Sequence, residues 1–243
     1  MTIDLIILTY NEIEGLKYFL PSIPPRCRNS GLAGYWGVDG GSSDGSLELY
    51  RQYGIRYVVQ EKRGRGEAFL QAFRESKADA LIFFSPDGNE DLDDLPLFVE
   101  ALRQGADMVI ASRMMKGARN EEDDQIFRWR KWVNQLFTLA ANLLWNRNGR
   151  YITDTINGFR AIRREAWDAM RINASDYTVE YQSTIHSLKL KLKVVEFPTR
   201  EGKRIGGESY AKSLPTGIKF LRLLWEEMIA GPHFPDDKKP VSC

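Results

Sequence analysis

Short apolar runs recur along the first half of the chain, and each one ends abruptly at turn-forming or charged residues. Runs of this length are typical of buried strands, and apolar residues at helical spacing between them indicate amphipathic helices. The pattern predicts five strands, at residues 3–8, 35–38, 55–59, 81–84 and 108–111. It predicts the intervening helices at residues 12–20, 45–53, 67–77 and 93–104. Because strands and helices alternate, we expect an α/β fold with an open, mostly parallel sheet flanked by helices.

The second half of the chain predicts further helices at residues 125–145, 178–190 and 214–228. The first and last of these are amphipathic, and each apolar stripe has two interpretations. The helix either packs its stripe against the sheet or lies at a membrane interface. The sequence has no run of about 18–20 apolar residues, so it predicts no transmembrane segment.

Composition narrows the classes of function. The chain has 243 residues, enough for one large α/β domain, and its net charge of +1 gives no electrostatic case for binding nucleic acid. Cys27 and Cys243 have neither metal-ligand spacing nor a disulfide framework, so the cytosol is the expected compartment. No basic stretch precedes the first apolar run, and we therefore expect no signal peptide.

The carboxyl ends of all five predicted strands carry polar or charged residues. These are Thr9, Glu12, Asp39, Arg63, Arg65, Asp87, Asn89 and Arg113. Ligands of open α/β sheets bind outside the carboxyl ends of the strands, and the core of a parallel sheet needs none of these groups. The sequence therefore predicts an active site along this edge of the sheet.

The fourth predicted strand leads into the most informative stretch, ALIFFSPDGNED at residues 80–91. Asp87, Asn89 and Asp91 alternate on a loop that Pro86 and Gly88 bend sharply. Such oxygen ligands suit Mg²⁺ or Mn²⁺. The competing interpretation is a solvated turn whose acidic residues cap the helix that follows.

Several motifs, taken in order, resemble the landmarks of the family 2 glycosyltransferases with the GT-A (Rossmann-like) fold. They are TYNE at 9–12, VDGGSSDGS at 38–46, GRG at 64–66, DGN at 87–89 and SR at 112–113. DTINGFR at 154–160 and RIGGES at 204–209 resemble segments of the polyprenyl-phosphate sugar synthases, of which the dolichyl-phosphate mannose synthases are the best known. The set extends over nearly the whole chain.

The resemblance implies a nucleotide-diphospho-sugar donor, either GDP- or UDP-linked, a divalent metal, and inversion at the anomeric carbon. It assigns donor binding to Thr9, Tyr10, Glu12, Asp39, Arg65, Asp87, Gly88, Asn89, Arg113, Arg204 and Ser209. It assigns the metal, Mg²⁺ or Mn²⁺, to Asp87, Asn89 and Asp91. The catalytic candidates are Asp87, Asn89, Arg113, Arg204, Asp154 and Glu180.

The chain departs from the family pattern at four positions. Asn89 replaces the second Asp of the metal motif, and Gly40 stands where a second Asp is usual. Arg65 replaces a frequent Lys, which keeps the charge but makes it a planar fork. Tyr210 stands where these synthases often carry a phosphate-binding Lys, and Lys212 is the nearest candidate substitute.

The acceptor decides which residues the chemistry needs. A phosphate monoester, with a second pKa of about 6, is already a nucleophilic oxyanion at neutral pH, and polyprenyl phosphate is the favoured acceptor. A hydroxyl acceptor on a saccharide or small molecule would need a general base, for which Asp154 and Glu180 are the candidates. A nucleotidyltransferase or a dinucleotide-binding domain would want a Gly-rich loop after the first strand, where this chain has TYNE. A non-catalytic sugar-nucleotide-binding protein is the remaining alternative.

These expectations combine into a domain plan. One domain is expected over residues 1–230, with a nucleotide-sugar half at 1–113, an acceptor half at 114–213 and a C-terminal helix at 214–230. A polar tail follows at 231–243. The expected location is cytoplasmic, with peripheral membrane contact or a membrane partner, and a homo-oligomer is compatible with the sequence.

Overall fold

The fold is described from a computed structural model. It describes residues 1–123, 128–147, 149–205 and 213–234, with the side chains of residues 213 and 214 left out.

Within these residues, seven strands form one sheet in the order β3-β2-β1-β4-β6-β5-β7. The strands are β1 (Ile3–Thr9), β2 (Gly34–Asp39), β3 (Tyr57–Val59), β4 (Ala80–Phe84), β5 (Met108–Ser112), β6 (Arg160–Arg163) and β7 (Val194–Pro198). All neighbouring pairs are parallel except those of β6, which runs antiparallel to both β4 and β5. The predicted α/β class with a mostly parallel sheet is confirmed.

Helices cover the sheet. They are α1 (Ile13–Phe19), α2 (Ile23–Ser30), α3 (Ser46–Gln52), α4 (Arg65–Glu75), α5 (Leu95–Arg103), α6 (Trp129–Trp145), α7 (Arg164–Met170), α8 (Val179–Lys189) and α9 (Ser213–Ala230), with a 3₁₀ turn at Leu92–Asp94. Alternate residues of β1 enter different apolar clusters: Leu5 and Ile7 pack on one face of the sheet, and Ile6 and Leu8 pack on the other. Both faces are therefore buried, which explains why the strands are apolar without alternation.

The sequence analysis predicted no helix directly after α1, whereas α2 follows it and contains Pro24 and Pro25 in its first turn. A proline at the first helical positions loses no hydrogen bond, because the first amides of a helix have no intrahelical acceptor. Strands β6 and β7 were also missed, since neither has the long apolar run that identified the others.

A third apolar cluster joins α6, α8 and α9 beside the sheet. It contains Phe137 and Ala141 of α6, Tyr181 of α8, and Phe220 and Leu223 of α9. The predicted amphipathic helices therefore pack their inner stripes against each other and against α8. Among the described residues, no helix has the length and apolar character needed to cross a bilayer.

Candidate active site

A cleft of about 640 Å³ opens at the carboxyl ends of β1, β2 and β4. These strands are adjacent and in parallel register, with Thr9 opposite Asp39 and Ile7 opposite Phe84, so the loops after them share one edge. The predicted site residues that line the cleft are Thr9, Tyr10, Glu12, Arg65, Asp87, Asn89, Arg113, Glu180 and Arg204. The structure therefore brings most of the predicted set together, although their roles remain predictions.

The loop after β4 is held by the segment that carries Arg204. The amide of Gly202 donates to the carbonyl oxygen of Asn89 (3.2 Å), and the amide of Ile205 donates to that of Asp87 (2.7 Å). Gly88 has a φ of +96°, and a Cβ at this position would lie 2.6 Å from the carbonyl oxygen of Lys203. Only glycine fits this conformation and this close approach, which explains its place in the DGN motif.

Arg204 bridges two of the predicted donor-binding carboxylates. Its guanidinium donates to Oδ2 of Asp87 (3.1 Å) and to Oε1 of Glu12 (2.9 Å). Burial raises the pKa of Glu12; Arg204 opposes this shift, Asp87 and Asp44 add to it, and the pKa is about 7. The chain thus places one cation and two carboxylates, separated by more than 70 residues in sequence, at one point of the cleft.

The three predicted metal ligands differ in their hydrogen bonds and in whether they line the cleft. Among the described residues, the buried Oδ1 of Asn89 has no hydrogen-bond partner, and Oδ1 of Asp87 accepts a long bond from the amide of Asn89 (3.2 Å). Asp91 does not line the cleft; its Oδ1 accepts from the amide of Asp93 (2.9 Å) and caps the 3₁₀ turn. The capping interpretation thus describes Asp91. Nowhere in the described parts of the chain do three or more acidic, His or Cys side chains form a cation cage.

Thr9 and Tyr10, two of the residues predicted to bind the donor, lie together on one side of the cleft, which we call the nucleoside wall. The guanidinium of Arg63 lies 4.6 Å from the centre of the Tyr10 ring and donates to its hydroxyl (2.5 Å). A Cβ at Gly40 would lie 3.1 Å from the Tyr10 ring and 3.3 Å from Oε1 of Gln60, so the absent side chain leaves little free space. Thr9 is almost fully buried, and its hydroxyl is bonded to that of Tyr50 (2.7 Å).

Asp39 lies beneath the cleft and does not line it. Its side chain is fully buried; Oδ1 accepts from the amides of Gly41 (2.8 Å) and Ser42 (2.6 Å), and Oδ2 accepts from the Ser42 hydroxyl (2.7 Å). The donor-binding role of Asp39 therefore stays a prediction. The carboxylate fixes the glycine-rich loop, because it accepts the amides that this loop would otherwise leave unpaired.

Arg113 and Asp154 form a buried pair. The guanidinium donates to both carboxylate oxygens (2.7 and 3.0 Å), and Asp154 is fully buried behind it, outside the cleft lining. Burial alone would raise the pKa of Asp154, but Arg113 and the accepted hydrogen bonds outweigh it and hold the pKa below its ordinary value. Glu201 contacts the same guanidinium (3.3 Å). The prediction that Asp154 acts as a base does not agree with this position, since the carboxylate is buried, paired and weakly basic.

Glu180, the other candidate base, lines the cleft but is paired with Arg65. Arg65 also donates to the hydroxyl of Ser85 (3.1 Å). Behind Glu180, the fully buried Arg160 donates to its backbone carbonyl (2.7 Å), which fixes the first turn of α8. A Cβ at Gly158 would lie 1.8 Å from the Arg65 guanidinium, so this glycine makes room for the pair.

Some lining residues were missed by sequence reasoning, and they fall into two groups. Glu90 and Glu201 lie next to predicted motifs, and their acidic character is a signal that could have found them. Burial raises the pKa of Glu90 well above its ordinary value, and the nearby Asp87 adds to the shift. Tyr177 and Lys219 reach the cleft only because α8 and α9 pack beside it, and no local pattern marks them. Ser209, Tyr210 and Lys212 lie outside the described residues.

The chain is similar to several curated proteins along most of its length. It is 27% identical to the glycosyltransferase AglJ of Haloferax volcanii over 93% of this chain and 72% of that protein. It is 27% identical to the dolichol-phosphate mannosyltransferase of Pyrococcus furiosus over 94% of this chain and 64% of that protein. Against the undecaprenyl-phosphate mannosyltransferase of Micrococcus luteus the identity is 27%, over 86% and 87% of the two chains.

Solved structures show the same fold. The glucosyl-3-phosphoglycerate synthase of Mycobacterium tuberculosis, in complex with Mn²⁺ and UDP-glucose, superposes with a TM-score of 0.70. The match covers 97% of this chain and 80% of that one, at 20% sequence identity. This likeness confirms the predicted GT-A fold.

The family is shown by a match over more than half of the chain. Residues 4–170 match the model of glycosyl transferase family 2. They include β1 from its second residue, all of β2 to β6, and the loops that carry Glu12, Asp87 and Arg113. The chain is therefore a glycosyltransferase with the GT-A fold, and it belongs to glycosyl transferase family 2.

Proposed function

We propose that the chain transfers a hexose, with inversion, from a GDP- or UDP-linked sugar to a polyprenyl phosphate. The observation that carries this proposal is that both candidate bases are paired with arginines, Asp154 with Arg113 and Glu180 with Arg65. A hydroxyl acceptor needs a free base, whereas a phosphate acceptor needs none. Two curated relatives are named as polyprenyl-phosphate mannosyltransferases, which supports the same acceptor class.

Asp87 and Asn89 fit a divalent cation, Mg²⁺ or Mn²⁺. The buried Oδ1 of Asn89 could serve as a metal ligand, because no other described residue bonds to it, and the Asp87 carboxylate lies two residues before it. Mg²⁺ is usually held by one or two carboxylates together with phosphate oxygens of the substrate, so two protein ligands are enough in kind. The bound cation would supply positive charge to the departing diphosphate.

Arginine side chains would also stabilise the negative charge on the leaving group. As the bond from the anomeric carbon to the donor diphosphate breaks, an oxygen of the acceptor phosphate forms the new bond to that carbon from the opposite side. Negative charge then grows on the nucleoside diphosphate, and Arg113 and Arg204 face the cleft in which it leaves. Tyr10, stacked with Arg63, would support the nucleoside.

The halves of the domain follow from these roles. We assign residues 1–113 to the nucleotide-sugar half, residues 114–213 to the acceptor half and residues 214–230 to a C-terminal helix, followed by the tail at 231–243. A polyprenyl phosphate resides in a membrane, so the proposal places the protein at the cytoplasmic face as a peripheral protein.

A hydroxyl acceptor is the second candidate, because Glu180 does line the cleft. Release from Arg65 would make this carboxylate available as a base. The distinguishing signature is a pH–rate profile whose acidic limb disappears in Glu180→Gln. A profile that keeps its limb in this variant favours the phosphate acceptor.

The experiment that tests the proposal measures turnover of UDP-, GDP- and dTDP-sugars with Mg²⁺ or Mn²⁺, with and without a short-chain polyprenyl phosphate. We expect one donor to be consumed only when both the metal and the lipid phosphate are present. Consumption that is independent of the lipid would favour a hydroxyl acceptor. Failure of every donor to turn over or bind would contradict the proposal.

A further inference from the structure

Three neighbouring strand ends meet at the nucleoside wall. Strands β1, β2 and β3 are adjacent and parallel, and the residues that directly follow them are Tyr10, Gly40 and Gln60. The amide of Gly40 donates to the carbonyl oxygen of Thr9 (2.8 Å). The amide of Gln60 donates to the carbonyl oxygen of Asp39 (2.8 Å), so the three residues lie in one row. All three line the cleft, which places an aromatic ring, a glycine and a side-chain amide next to each other.

The glycine in the middle of this row brings its two neighbours together. A Cβ at Gly40 would lie 3.1 Å from the Tyr10 ring and 3.3 Å from Oε1 of Gln60. Oε1 is thus the end of the amide that borders the tyrosine side of the row. A flat ligand that packs on the Tyr10 ring would present its edge to this amide.

The Gln60 amide is held in one orientation by the backbone of Gly64. Its Nε2 donates to the Gly64 carbonyl oxygen (2.9 Å), and its Oε1 accepts a long bond from the Gly64 amide (3.4 Å). The reverse orientation would set two acceptors against each other and two donors against each other, so these bonds decide which end is which. One N–H of Nε2 and one lone pair of Oε1 remain for a ligand. The side chain therefore offers a donor and an acceptor in a fixed order.

Arg63 adds a second donor on the tyrosine side. Its guanidinium lies 4.6 Å from the centre of the Tyr10 ring and donates to the Tyr10 hydroxyl. A guanidinium has no acceptor, and this bond leaves other N–H groups of Arg63 for a ligand. The wall thus presents a donor, an acceptor and a donor in order, namely Nε2 of Gln60, Oε1 of Gln60 and the guanidinium of Arg63.

Nucleobases differ in the order of the groups along their pairing edge. Uracil and thymine present an acceptor, a donor and an acceptor, because N3–H lies between two carbonyl oxygens. Guanine presents an acceptor and two donors, and its amino group would face the donors of Arg63. Cytosine presents a donor and two acceptors, and its amino group would face Nε2 of Gln60. The edge of uracil and thymine is therefore complementary to this wall, and the other two edges are not.

We propose that Gln60 and Arg63 select a sugar donor whose base is uracil or thymine. Oε1 of Gln60 accepts from N3–H of the base, Nε2 donates to one carbonyl oxygen, and Arg63 donates to the other. The inference rests on the proposed function, since it presupposes a nucleotide-linked donor. It deepens that function, because it chooses between the GDP- and UDP-linked sugars on the chemistry of the base.

The test is isothermal titration calorimetry of the full chain with UDP, dTDP, GDP and CDP in the presence of Mn²⁺. We expect UDP and dTDP to bind at least about tenfold more tightly than GDP and CDP, the usual discrimination of a paired donor and acceptor. Uracil and thymine share the edge that the wall reads, and the tighter of UDP and dTDP identifies the natural source of that edge. Neither sugar transfer nor a lipid enters this measurement.

Gln60→Ala removes the central acceptor and one donor. The preference for UDP over GDP should then fall to less than about threefold. The variant also loses the bonds to Gly64, but a disturbed loop would weaken all four nucleotides alike, whereas the loss of base reading changes their ratio. Gln52→Ala is the matched control, because Gln52 is an exposed glutamine at the end of α3, outside the cleft lining. It should leave every affinity unchanged.

Arg63→Gln provides a second variant that keeps the bonds between Gln60 and Gly64. The new amide could accept from the amino group of guanine, so GDP should gain relative to UDP. Unchanged ratios in both variants would overturn the inference. Preference of the parent for GDP or CDP would also overturn it, while lipid-dependent transfer from such a donor would uphold the proposed acceptor. Failure of all four nucleotides to bind would overturn the inference and the proposed function together.

Discussion

Arg204 and Arg113 were both expected to hold phosphate, yet the structure supports them differently. Arg204 pairs with Glu12 and Asp87, which line the cleft themselves. Arg113 pairs with Asp154, which is fully buried beneath it, and with Glu201 at its side. Arg204 is held by groups that can also meet a ligand. Arg113 is held mainly from behind by Asp154, which cannot, although its weaker partner Glu201 lines the cleft.

This difference distinguishes an arginine that is fixed before the donor binds from one whose contacts change when the donor binds. A partner behind the guanidinium fixes the arginine before the donor arrives. All three nitrogens of Arg113 already donate to Asp154 or Glu201, and the second N–H of each terminal nitrogen remains for the phosphate. Partners inside the cleft must share the arginine with the donor, so Arg204 exchanges contacts when the donor binds. We therefore expect changes around Arg113 to affect stability first, and changes around Arg204 to affect turnover first.

The largest effect on stability is expected from Asp154→Ala. Removing this carboxylate leaves the Arg113 charge largely buried without its main partner, which typically costs about 3–5 kcal/mol. Chemical denaturation followed by circular dichroism measures the free energy of unfolding. Arg204→Ala is the matched variant for the other site, and because its pair is more exposed it should lose no more than about 1 kcal/mol.

Equal losses in these two variants would remove the distinction between the arginines. Asp154→Asn adds a test of the base hypothesis, since it keeps the shape of the side chain but not its charge. If Asp154 only positions Arg113, the acidic limb of the pH–rate profile stays where it is in the parent. A limb that disappears would restore Asp154 as a base.

The next effect concerns turnover. Asp87→Ala should lower metal-dependent donor turnover by about 100-fold or more, the usual cost of removing a group that stabilises transition-state charge, while the fold stays intact. Binding of Mn²⁺, followed by electron paramagnetic resonance, should weaken in parallel. Asp91→Ala is the control, because the structure places Asp91 in a helix cap outside the cleft.

Asp91→Ala should remove only the cap of the 3₁₀ turn, which lowers the free energy of unfolding by about 1 kcal/mol. The affinity for Mn²⁺ should not change. Weakened Mn²⁺ binding in this variant would return Asp91 to the ligand set. Full activity of Asp87→Ala would remove the metal assignment altogether.

The donor side of the cleft could be predicted because its residues directly follow the strands in the sequence. A strand's end and the polar residues that follow it are adjacent in sequence, so Asp87, Asn89 and Arg113 could be placed at one edge from the order of strands alone. Even there the sequence could not distinguish ligand from support. Asp39 and Asp91 have the right chemistry and position, but their oxygens are used by backbone amides.

The acceptor side of the cleft depends on contacts between segments that are far apart in the sequence. The antiparallel pairing of β6 with β4 and the pairing of Arg65 with Glu180 both join residues more than 75 positions apart. The periodicity of the sequence does not predict such contacts. The buried His186 also joins separate segments, because its ring nitrogens contact the Met170 carbonyl oxygen (2.6 Å) and the Glu227 carboxylate (2.7 Å), 16 and 41 positions away. No local pattern in the sequence predicts these partners of His186.

The pH dependence of stability tests how strongly Arg204 favours the ionised form of Glu12. The pKa of Glu12 is raised from 4.5 to about 7, so the folded protein keeps a proton that the unfolded chain releases between these values. Stability should therefore fall as the pH rises from about 4.5 to 7, by at most about 3 kcal/mol from this group. Glu12→Gln should remove that part of the pH dependence of the metal-free protein.

The measurement is the difference in unfolding free energy between the parent and Glu12→Gln at pH 4.5, 6 and 8. The variant should gain relative to the parent as the pH rises, because it has no carboxylate to ionise. Asp94, whose pKa is raised to about 6 mainly by burial, titrates in both proteins and cancels in the difference. A difference that does not change with pH would show that Arg204 keeps Glu12 ionised throughout.

The smallest effect is expected under the nucleoside wall, where the Thr9 hydroxyl bonds to that of Tyr50. Tyr50→Phe and Thr9→Val should each cost about 1 kcal/mol of stability, the usual loss for one buried hydrogen bond, with the donor KM changed less than about twofold. The double variant should cost less than the sum of the two, because both changes remove the same bond. If Thr9→Val alone raises the donor KM about tenfold, the hydroxyl turns to the donor instead, and the nucleoside wall, like Arg204, shares its groups with the ligand.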